Sequence, residues 1–279
     1  MKIRAYAKIN LTLDITSKRD DGYHDVKMIM QEISLYDTID IERSDDIEIE
    51  CNIPYIPCDE RNLAYKAVLE FNKYTNKNAG AKIYINKIIP SGAGLGGGSS
   101  DAAAVVKALD KLYNTNLTER DKMNICEKLG SDVPFFILGG TCLAEGRGEI
   151  LTKLPSIPKC YVLLAKPSFS VSTKIAYQNF DITKLKRHPE TDAAIEALKS
   201  GDIVLLAEKM KNVLEPPVVN QYPKIKILKY EIKKGRALNS IMTGSGSTVF
   251  GIFDSYTKAS LCKEKMRNIA DFVFLCEAK

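Results

Sequence analysis

The chain has 279 residues, of which 45% are hydrophobic and 27% charged, and this composition excludes a disordered chain and is typical of a soluble globular enzyme. The formal charge of +5 comes from basic residues spread along the chain, so we expect no nucleic-acid partner, which would favour a dense basic arm or stripe. The seven cysteines include no C-x-x-C pair, which argues against a disulfide framework or a zinc cluster and predicts reduced, mostly buried thiols.

The N-terminal segment Met1 to Lys8 has no apolar signal region, and no run approaches the roughly 18 apolar residues of a membrane span. We therefore expect a cytoplasmic protein without a membrane partner. Apolar residues alternate with polar ones from Lys2 to Ile15, which predicts a half-buried strand with Lys8 and Asn10 on its other face. Strands are then predicted at 26–35, 38–42, 47–51 and 81–89, with helices at 62–74, 101–113 and 117–129.

In the second half of the chain, the pattern predicts a smaller unit that contains both strands and helices. A hairpin is predicted at 139–151, and the pattern breaks near Pro155, where we place the boundary between domains 1–155 and 156–279. Strands are predicted at 161–165, 238–242, 248–253 and 272–277, and helices at 172–179, 191–199, 203–213, 222–234 and 256–268. In the first part of the chain, the strands predicted up to residue 51 precede the first predicted helix, and this order favours an α+β fold over a doubly wound sheet.

A glycine-rich loop separates the predicted strand 81–89 from a helix-forming run that begins at Ser99. It holds five glycines within the seven residues 92–98. Glycine lets backbone N–H groups approach a ligand, and a helix N-terminus favours an anion. A structural turn needs fewer glycines, so we predict a phosphate site. Ser99 and Ser100 can cap the helix and also contact a phosphate or Mg²⁺.

The loop matches the dinucleotide fingerprint literally at Gly92, Gly94 and Gly97. That reading also requires an acidic residue at the end of a second strand about 20 residues further on. The region here predicts helix, an Asn114-Thr-Asn116 break, then helix. No Lys-Ser/Thr follows the glycines, so a Walker A motif is excluded as well.

Three stretches, in order along the chain, resemble the motifs of the GHMP kinases, the superfamily of galactokinase, homoserine kinase and mevalonate kinase. They are Ala5-Tyr-Ala-Lys-Ile-Asn-Leu11, Pro90-Ser-Gly-Ala-Gly-Leu-Gly-Gly-Gly-Ser-Ser100 and Met242-Thr-Gly-Ser-Gly-Ser-Thr-Val-Phe250. The resemblance implies a two-domain α+β fold with the active site in the cleft between the domains. It also implies ATP as cofactor, with Mg²⁺ arriving alongside it, since the sequence shows no dedicated metal site.

Two further stretches resemble one branch of that superfamily, the kinases that act on a cytidine-diphosphate-linked methylerythritol. They are Lys18-Arg-Asp-Asp-Gly-Tyr-His24 and Leu129-Gly-Ser-Asp-Val-Pro-Phe-Phe136. That branch usually has Pro where Asp20 stands and often Glu where Asp25 stands. The resemblance implies phosphorylation of the 2-hydroxyl of this small molecule, giving the 2-phosphate and ADP in non-mevalonate isoprenoid synthesis. A monomer and a homodimer both remain open.

The resemblance assigns the chemistry to two residues. Asp132 would serve as base and Lys8 would lie beside it, activating the acceptor hydroxyl. The residues alone favour plainer interpretations, a loop acid after a helix for Asp132 and a solvated strand face for Lys8.

The resemblance also assigns two binding sets. Tyr23 would stack on the cytosine, His24 would bond its edge, and Tyr177 would lie on its other face; a core or surface role for Tyr177 stays open. Arg147, between two glycines, would reach the diphosphate of the acceptor or would be solvated. The acceptor set is Asn10, Tyr23, His24, Arg147, Tyr177 and Thr243. The ATP set is Asn62, Lys87, Pro90, Gly92, Gly94, Leu95, Gly96, Gly97, Gly98, Ser99 and Ser100.

Two rival functions remain open from the sequence. Another kinase of the superfamily, such as homoserine or mevalonate kinase, would have no use for Gly22-Tyr-His24. A non-catalytic module is the second rival, because the N-terminal half also resembles an RNA-binding ribosomal domain. Such a module would not need Lys8 and Asp132 together.

Overall fold

The computed structural model describes residues 1–185 and 187–279, which fall into two compact units, both discontinuous in sequence. Two long strands, β1 (Lys2–Lys18) and β2 (His24–Ser44), contribute residues to both. The first unit comprises Met1–Ala7, Leu35–Pro90 and Gly96–Gly139, and the second comprises Lys8–Ser34, Ser91–Leu95 and Gly140–Lys279. The predicted domain boundary near residue 155 stays a prediction.

The first unit packs helices on a sheet formed around the second half of β2. Strand β4 pairs with β2 in antiparallel and with β3 in parallel. Alternate residues of β4 are buried (Ala81, Ile83, Ile85), as the period-2 pattern predicts. The elements are β3 (Ile47–Cys51), α1 (Leu63–Thr75), β4 (Gly80–Asn86), α2 (Gly97–Tyr113), α3 (Glu119–Glu127) and α4 (Phe135–Leu138).

The second unit contains a four-stranded antiparallel sheet in the order β11-β7-β10-β9. Two of its other strands pair with the long strands: β5 pairs with β2, and β8 pairs in parallel with β1. The strands are β5 (Thr141–Glu145), β6 (Ile150–Lys153), β7 (Tyr161–Lys166), β8 (Lys211–Asn212), β9 (Asn239–Met242), β10 (Val249–Phe253) and β11 (Phe272–Glu277). The helices are α5 (Thr173–Gln178), α6 (Thr191–Ser200), α7 (Ile203–Lys209), α8 (Glu215–Gln221), α9 (Pro223–Lys234) and α10 (Tyr256–Met266).

Two sequence predictions of element bounds are wrong for identifiable reasons, and the short helices α4 and α8 were missed. The strands predicted at 26–35 and 38–42 are one strand, β2, because the alternation continues through a fully buried Asp37. The helix predicted at 203–213 ends at Lys209, since residues 211 and 212 pair instead with Thr12 and Leu13 of β1. The short helix α8 was not predicted, although its Glu-Pro-Pro start places proline where a first helical turn tolerates it.

The hairpin predicted at 139–151 is confirmed by the pairing of β5 with β6. The predicted burial of most thiols is confirmed for Cys126, Cys142, Cys160, Cys262 and Cys276, whereas Cys51 is half-buried and Cys58 exposed. Within 1–185 and 187–279, the helices all lack the length and apolar character that a membrane span requires.

Candidate active site

The glycine-rich loop connects β4 to α2, and its geometry leaves the start of the helix open. Helix α2 begins at Gly97, earlier than predicted, with Gly96 as its N-cap in the left-handed conformation. Within the described residues no side chain caps this helix, so the predicted capping by Ser99 and Ser100 is wrong. The Ser100 hydroxyl instead donates to the Tyr6 carbonyl at 2.6 Å. The first N–H groups of α2 therefore have no competing side-chain acceptor.

Glycine is required in the loop for backbone conformation and for close packing. Gly92, Gly94 and Gly96 all have φ between 60° and 74°, a region that L side chains rarely adopt. A Cβ on Gly94 would lie 2.3 Å from the carbonyl oxygen of Thr243. The second glycine turn, 243–247, therefore lies directly against the phosphate loop at Gly94.

Hydrogen bonds of Lys8 and Asn10 connect β1 to the glycine-rich loop and to the second glycine turn. Its backbone N–H donates to the Leu95 carbonyl at 3.0 Å, and its Nζ donates to Oδ1 of Asn10 at 2.8 Å. The N–H of Asn10 in turn donates to Oγ1 of Thr243 at 3.1 Å. Lys8 is only 4% exposed, so the solvated strand face is wrong for this lysine. Its predicted direction, toward the side of β1 shared with Asn10, is confirmed.

Asp132 lies in a turn immediately before α4, and it is half-buried beside the buried Val133. The apolar run from Val133 to Ile137 packs into the first unit and fixes this turn. Catalysis by Asp132 stays a prediction.

Four residues predicted to bind the acceptor form two contacting pairs in the second unit. The rings of His24 and Tyr177 have centroids 5.6 Å apart with an interplanar angle of 44°. The Arg147 guanidinium lies 5.5 Å from the centroid of the Tyr23 ring, which is 57% exposed. Burial, reinforced by the positive charge of Lys18, lowers the pKa of His24. The neutral imidazole, which this favours, has one donor and one acceptor nitrogen.

Two residues of the predicted ATP set use their side chains within the protein. Asn62 caps α1, accepting from the N–H of Ala64 at 2.9 Å and donating to the Pro57 carbonyl at 2.7 Å. Lys87 is buried between two carboxylates, Asp37 at 2.5 Å and Asp101 at 2.6 Å. Nucleoside contacts by Asn62 and Lys87 stay predictions.

Sequence reasoning missed three polar residues that hold the two glycine turns. Asp37 and Asp101 flank Lys87. In the sequence, Asp37 stands out as an acid inside an apolar strand, and Asp101 as an acid in an alanine-rich helix turn. Asn212 donates from Nδ2 to the carbonyls of Met242 and Gly244, at 2.8 and 2.7 Å. The sequence around Asn212 predicts a helix, so it carries no signal for this role.

Family models match both halves of the chain. The model of the GHMP kinases N terminal domain matches residues 62–140, and that of the GHMP kinases C terminal region matches residues 194–270. The structure is also similar to that of a homoserine kinase from Cytophaga hutchinsonii, with a TM-score of 0.80 at 19% identity, covering 100% of this chain and 94% of that one. That likeness supports the fold alone. The predicted α+β GHMP kinase fold is confirmed by these matches.

Closer relatives share one name. A 4-diphosphocytidyl-2-C-methyl-D-erythritol kinase of Clostridium botulinum (strain Alaska E43 / Type E3) is 48% identical over 276 residues, covering 99% of both chains. A crystal structure of 4-(cytidine 5'-diphospho)-2C-methyl-D-erythritol kinase superposes with a TM-score of 0.85 at 31% identity, covering 100% of this chain and 99% of that one. The chain therefore belongs to the family of 4-diphosphocytidyl-2-C-methyl-D-erythritol kinases, a branch of the GHMP kinases.

Proposed function

We propose that this chain transfers a phosphoryl group from ATP to the 2-hydroxyl of 4-diphosphocytidyl-2-C-methyl-D-erythritol. The products are the 2-phosphate and ADP, and the reaction serves non-mevalonate isoprenoid precursor synthesis. The observation that carries the proposal is the buried Lys8, whose N–H donates to the glycine loop and whose Nζ donates to Asn10. A lysine placed against an open phosphate loop has a use in phosphoryl transfer that a simple binding module lacks.

The glycine loop fits a triphosphate. ATP supplies the transferred phosphoryl group and the leaving ADP. The uncapped N–H groups at the start of α2 would donate to phosphate oxygens, and glycines 92 to 98 leave the backbone accessible. No group of three or more His, Cys, Asp or Glu residues capable of holding a metal occurs in the described part of the chain. We propose that Mg²⁺ is held chiefly by phosphate oxygens and water.

We assign the acceptor chemistry to Asp132 and Lys8. The Asp132 carboxylate would take the proton from the 2-hydroxyl, and the Lys8 ammonium would stabilise the developing negative charge on that oxygen. Asn10 and Thr243 hold Lys8 and the loop in place through the hydrogen bonds at 2.8 and 3.1 Å. The joint action of Asp132 and Lys8 stays a prediction.

The aromatic pairs support selection of a cytidine-linked acceptor. A pyrimidine ring can stack on Tyr23 or Tyr177, while the neutral His24 imidazole bonds its polar edge. The Arg147 guanidinium beside Tyr23 would meet the diphosphate of the same acceptor. A homoserine or mevalonate kinase would need none of these groups, so the arrangement favours the cytidine-linked acceptor.

An ADP-release assay tests the function directly. The purified chain is given ATP, Mg²⁺ and, in separate reactions, the cytidine-diphosphate methylerythritol, homoserine, galactose or mevalonate. We expect turnover with the first acceptor alone, and CMP to compete with it. Turnover with another acceptor, and no CMP binding at millimolar concentration, would assign the chain a different substrate.

Three further properties follow from this proposal and the sequence. We propose that the kinase works in the cytoplasm, as a monomer or homodimer. We also propose that residues 1–155 and 156–279 form its N- and C-terminal domains; the family matches at 62–140 and 194–270 fall on either side of that boundary.

A further inference from the structure

A cluster of three buried charged residues lies next to the two ends of the glycine loop. Lys87 follows the last residue of β4, Asp37 lies within β2, and Asp101 is the fifth residue of α2. The exposed fractions of the side chains are 6% for Lys87, 0% for Asp37 and 5% for Asp101. Buried charges that take part in no reaction are costly to keep, so the cluster calls for an explanation.

The contacts of the cluster reach both ends of the loop. Oδ1 of Asp37 accepts from the N–H groups of Ile88 and Ile89, at 2.5 and 2.8 Å, where the chain leaves β4. Oδ2 of Asp101 accepts from Lys87 at 2.6 Å at the start of α2. The Lys87 ammonium bonds both acids, and it therefore ties the entry of the loop to its exit.

The Lys87 ammonium also lies close to Gly97, at the end of the loop. A Cβ placed on Gly97, the first residue of α2, would lie 3.0 Å from Nζ of Lys87 and 2.9 Å from the Ile89 side chain. The space between Gly97 and the cluster is thus too small for a side chain on Gly97.

The charges of the cluster do not cancel by pairing alone. Two carboxylates share one ammonium, and burial raises the pKa of Asp101, an effect that Asp37 reinforces and Lys87 opposes. Oδ1 of Asp101 is buried, and within the described residues it has no hydrogen-bond partner. Buried ion pairs contribute little net stability but can fix one arrangement of the chain, which is the property a phosphate loop needs.

We propose that Lys87 is a positioning residue, which together with Asp37 and Asp101 fixes both ends of the glycine loop and thereby aims its N–H groups at the phosphates. The inference rests on the proposed function only in taking the phosphates of ATP as the ligand of the loop. In this proposal the Lys87 side chain acts through the loop backbone, in place of the nucleoside contact predicted from the sequence.

Two variants with the same substitution on related ion pairs test this role. Lys87→Met removes the ammonium of the cluster, and Lys122→Met removes the partner of Asp110 near the other end of α2, where the pair is 2.7 Å apart. Thermal unfolding is expected to show destabilisation in both. K87M should raise the KM for ATP by about tenfold to a hundredfold, since a displaced binding group costs roughly that much, while K122M leaves this KM unchanged.

Ligand competition separates positioning from nucleoside recognition. Affinities for ATP, inorganic tripolyphosphate and adenosine are measured by displacement of a fluorescent ADP analogue. Positioning predicts that K87M weakens ATP and tripolyphosphate by equal factors and leaves adenosine unchanged. Selective loss of adenosine affinity would overturn the proposal, as would wild-type affinity for all three ligands.

A neutral triple variant covers the case in which K87M fails to fold. Asp37→Asn, Lys87→Met and Asp101→Asn together leave no unpaired buried charge, and Asn at position 37 keeps an oxygen for the N–H groups of Ile88 and Ile89. We expect this variant to fold. Its affinity for tripolyphosphate should nevertheless be at least about tenfold lower than that of the wild type, because its loop is misaligned. Wild-type affinity in the folded triple variant would overturn the proposal. These measurements need no acceptor, so a wrong acceptor assignment leaves them interpretable.

Discussion

Gly94 of the phosphate loop lies directly against Thr243 of the second glycine turn, so closely that a Cβ on Gly94 would be 2.3 Å from the Thr243 carbonyl oxygen. Thr243 is itself fully buried and accepts a hydrogen bond from the N–H of Asn10. The two glycine turns therefore hold each other in place, and each needs the other's lack of side chains.

This contact predicts a specific effect of Gly94→Ala. The residue has a φ of 74°, which costs an L residue about 1–2 kcal/mol, and the added methyl group also displaces the Thr243 carbonyl. The strain lowers the free energy of unfolding, whereas the displacement moves the loop backbone, so we expect kcat/KM for ATP to fall by at least about tenfold, as expected for a misplaced binding group. Steady-state kinetics with varied ATP provide the measurement.

Gly201→Ala is the matched control for strain alone. Gly201 has a φ of 69° and no atom within 4 Å of an added Cβ. This variant should lose only the free energy of unfolding that comes from the backbone strain, and it should keep wild-type kinetics. Equal kinetics in G94A and G201A would show that contact with Thr243 has no part in nucleotide binding.

The proposed joint action of Lys8 and Asp132 predicts non-additive losses. Asp132→Asn and Lys8→Met should each reduce kcat by roughly two to four orders of magnitude, the usual contribution of a positioned acid or base. The double variant should be little worse than either single one, as for residues that act as a unit. Single-turnover kinetics with saturating ATP measure the three losses.

Nucleotide binding distinguishes a chemical from a structural loss in these variants. D132N should bind the ADP analogue with wild-type affinity, and Asp45→Asn, an exposed acid in the same unit, should keep full activity. Additive losses in the double variant would argue against a shared step, and near-normal turnover of D132N would exclude Asp132 as the base.

The aromatic contacts predict a loss of acceptor affinity on removal of a ring. Tyr177→Ala deletes the ring next to His24, and loss of one base–aromatic contact costs about 1–3 kcal/mol. The KM for the acceptor should therefore rise by roughly tenfold to a hundredfold, with the KM for ATP unchanged. Tyr230→Ala is the control, because Tyr230 is an exposed tyrosine whose ring contacts Lys234 and none of the residues predicted to bind the acceptor. An unchanged CMP affinity in Y177A would remove Tyr177 from the acceptor site.

The lowered pKa of His24 predicts a pH effect with a definite sign. Burial, and secondarily Lys18, favour the neutral imidazole in the folded chain, so the stability it contributes is present above the ordinary pKa of about 6.5 and is lost as pH falls through the lower folded value. The KM for the acceptor should rise over that same acidic range, because protonation removes the acceptor nitrogen of the ring.

Two variants check this assignment. His24→Asn should flatten the acidic limb of the KM profile, and Lys18→Met should move it toward the ordinary imidazole pKa. Because the chain has two histidines, comparison of the wild type with H24N also assigns the His24 signal in an NMR titration. A titration of His24 above the ordinary value would contradict the prediction.

Local patterns in the sequence predicted much of this fold, and the predictions that failed share a cause. The strand–glycine–helix order and the direction of Lys8 depend on neighbours within a few residues, so periodicity revealed them. The burial of Lys8 did not follow, because alternation cannot say what covers the other face of a strand. One partner of Lys87, Asp37, is 50 residues away in the sequence, and β8 is defined by its pairing with β1. Such tertiary effects leave no local pattern.

The uneven burial of the thiols makes the unmodified chain ready for site-selective labelling. Cys58 is the exposed cysteine of the described residues, and it lies beside Pro57, whose carbonyl accepts from the Asn62 side chain. A maleimide dye should therefore react first at this position, since access governs thiol modification. A dye there would stand next to the residue predicted to meet the nucleoside, and its fluorescence would provide an optical signal of nucleotide binding without any substitution.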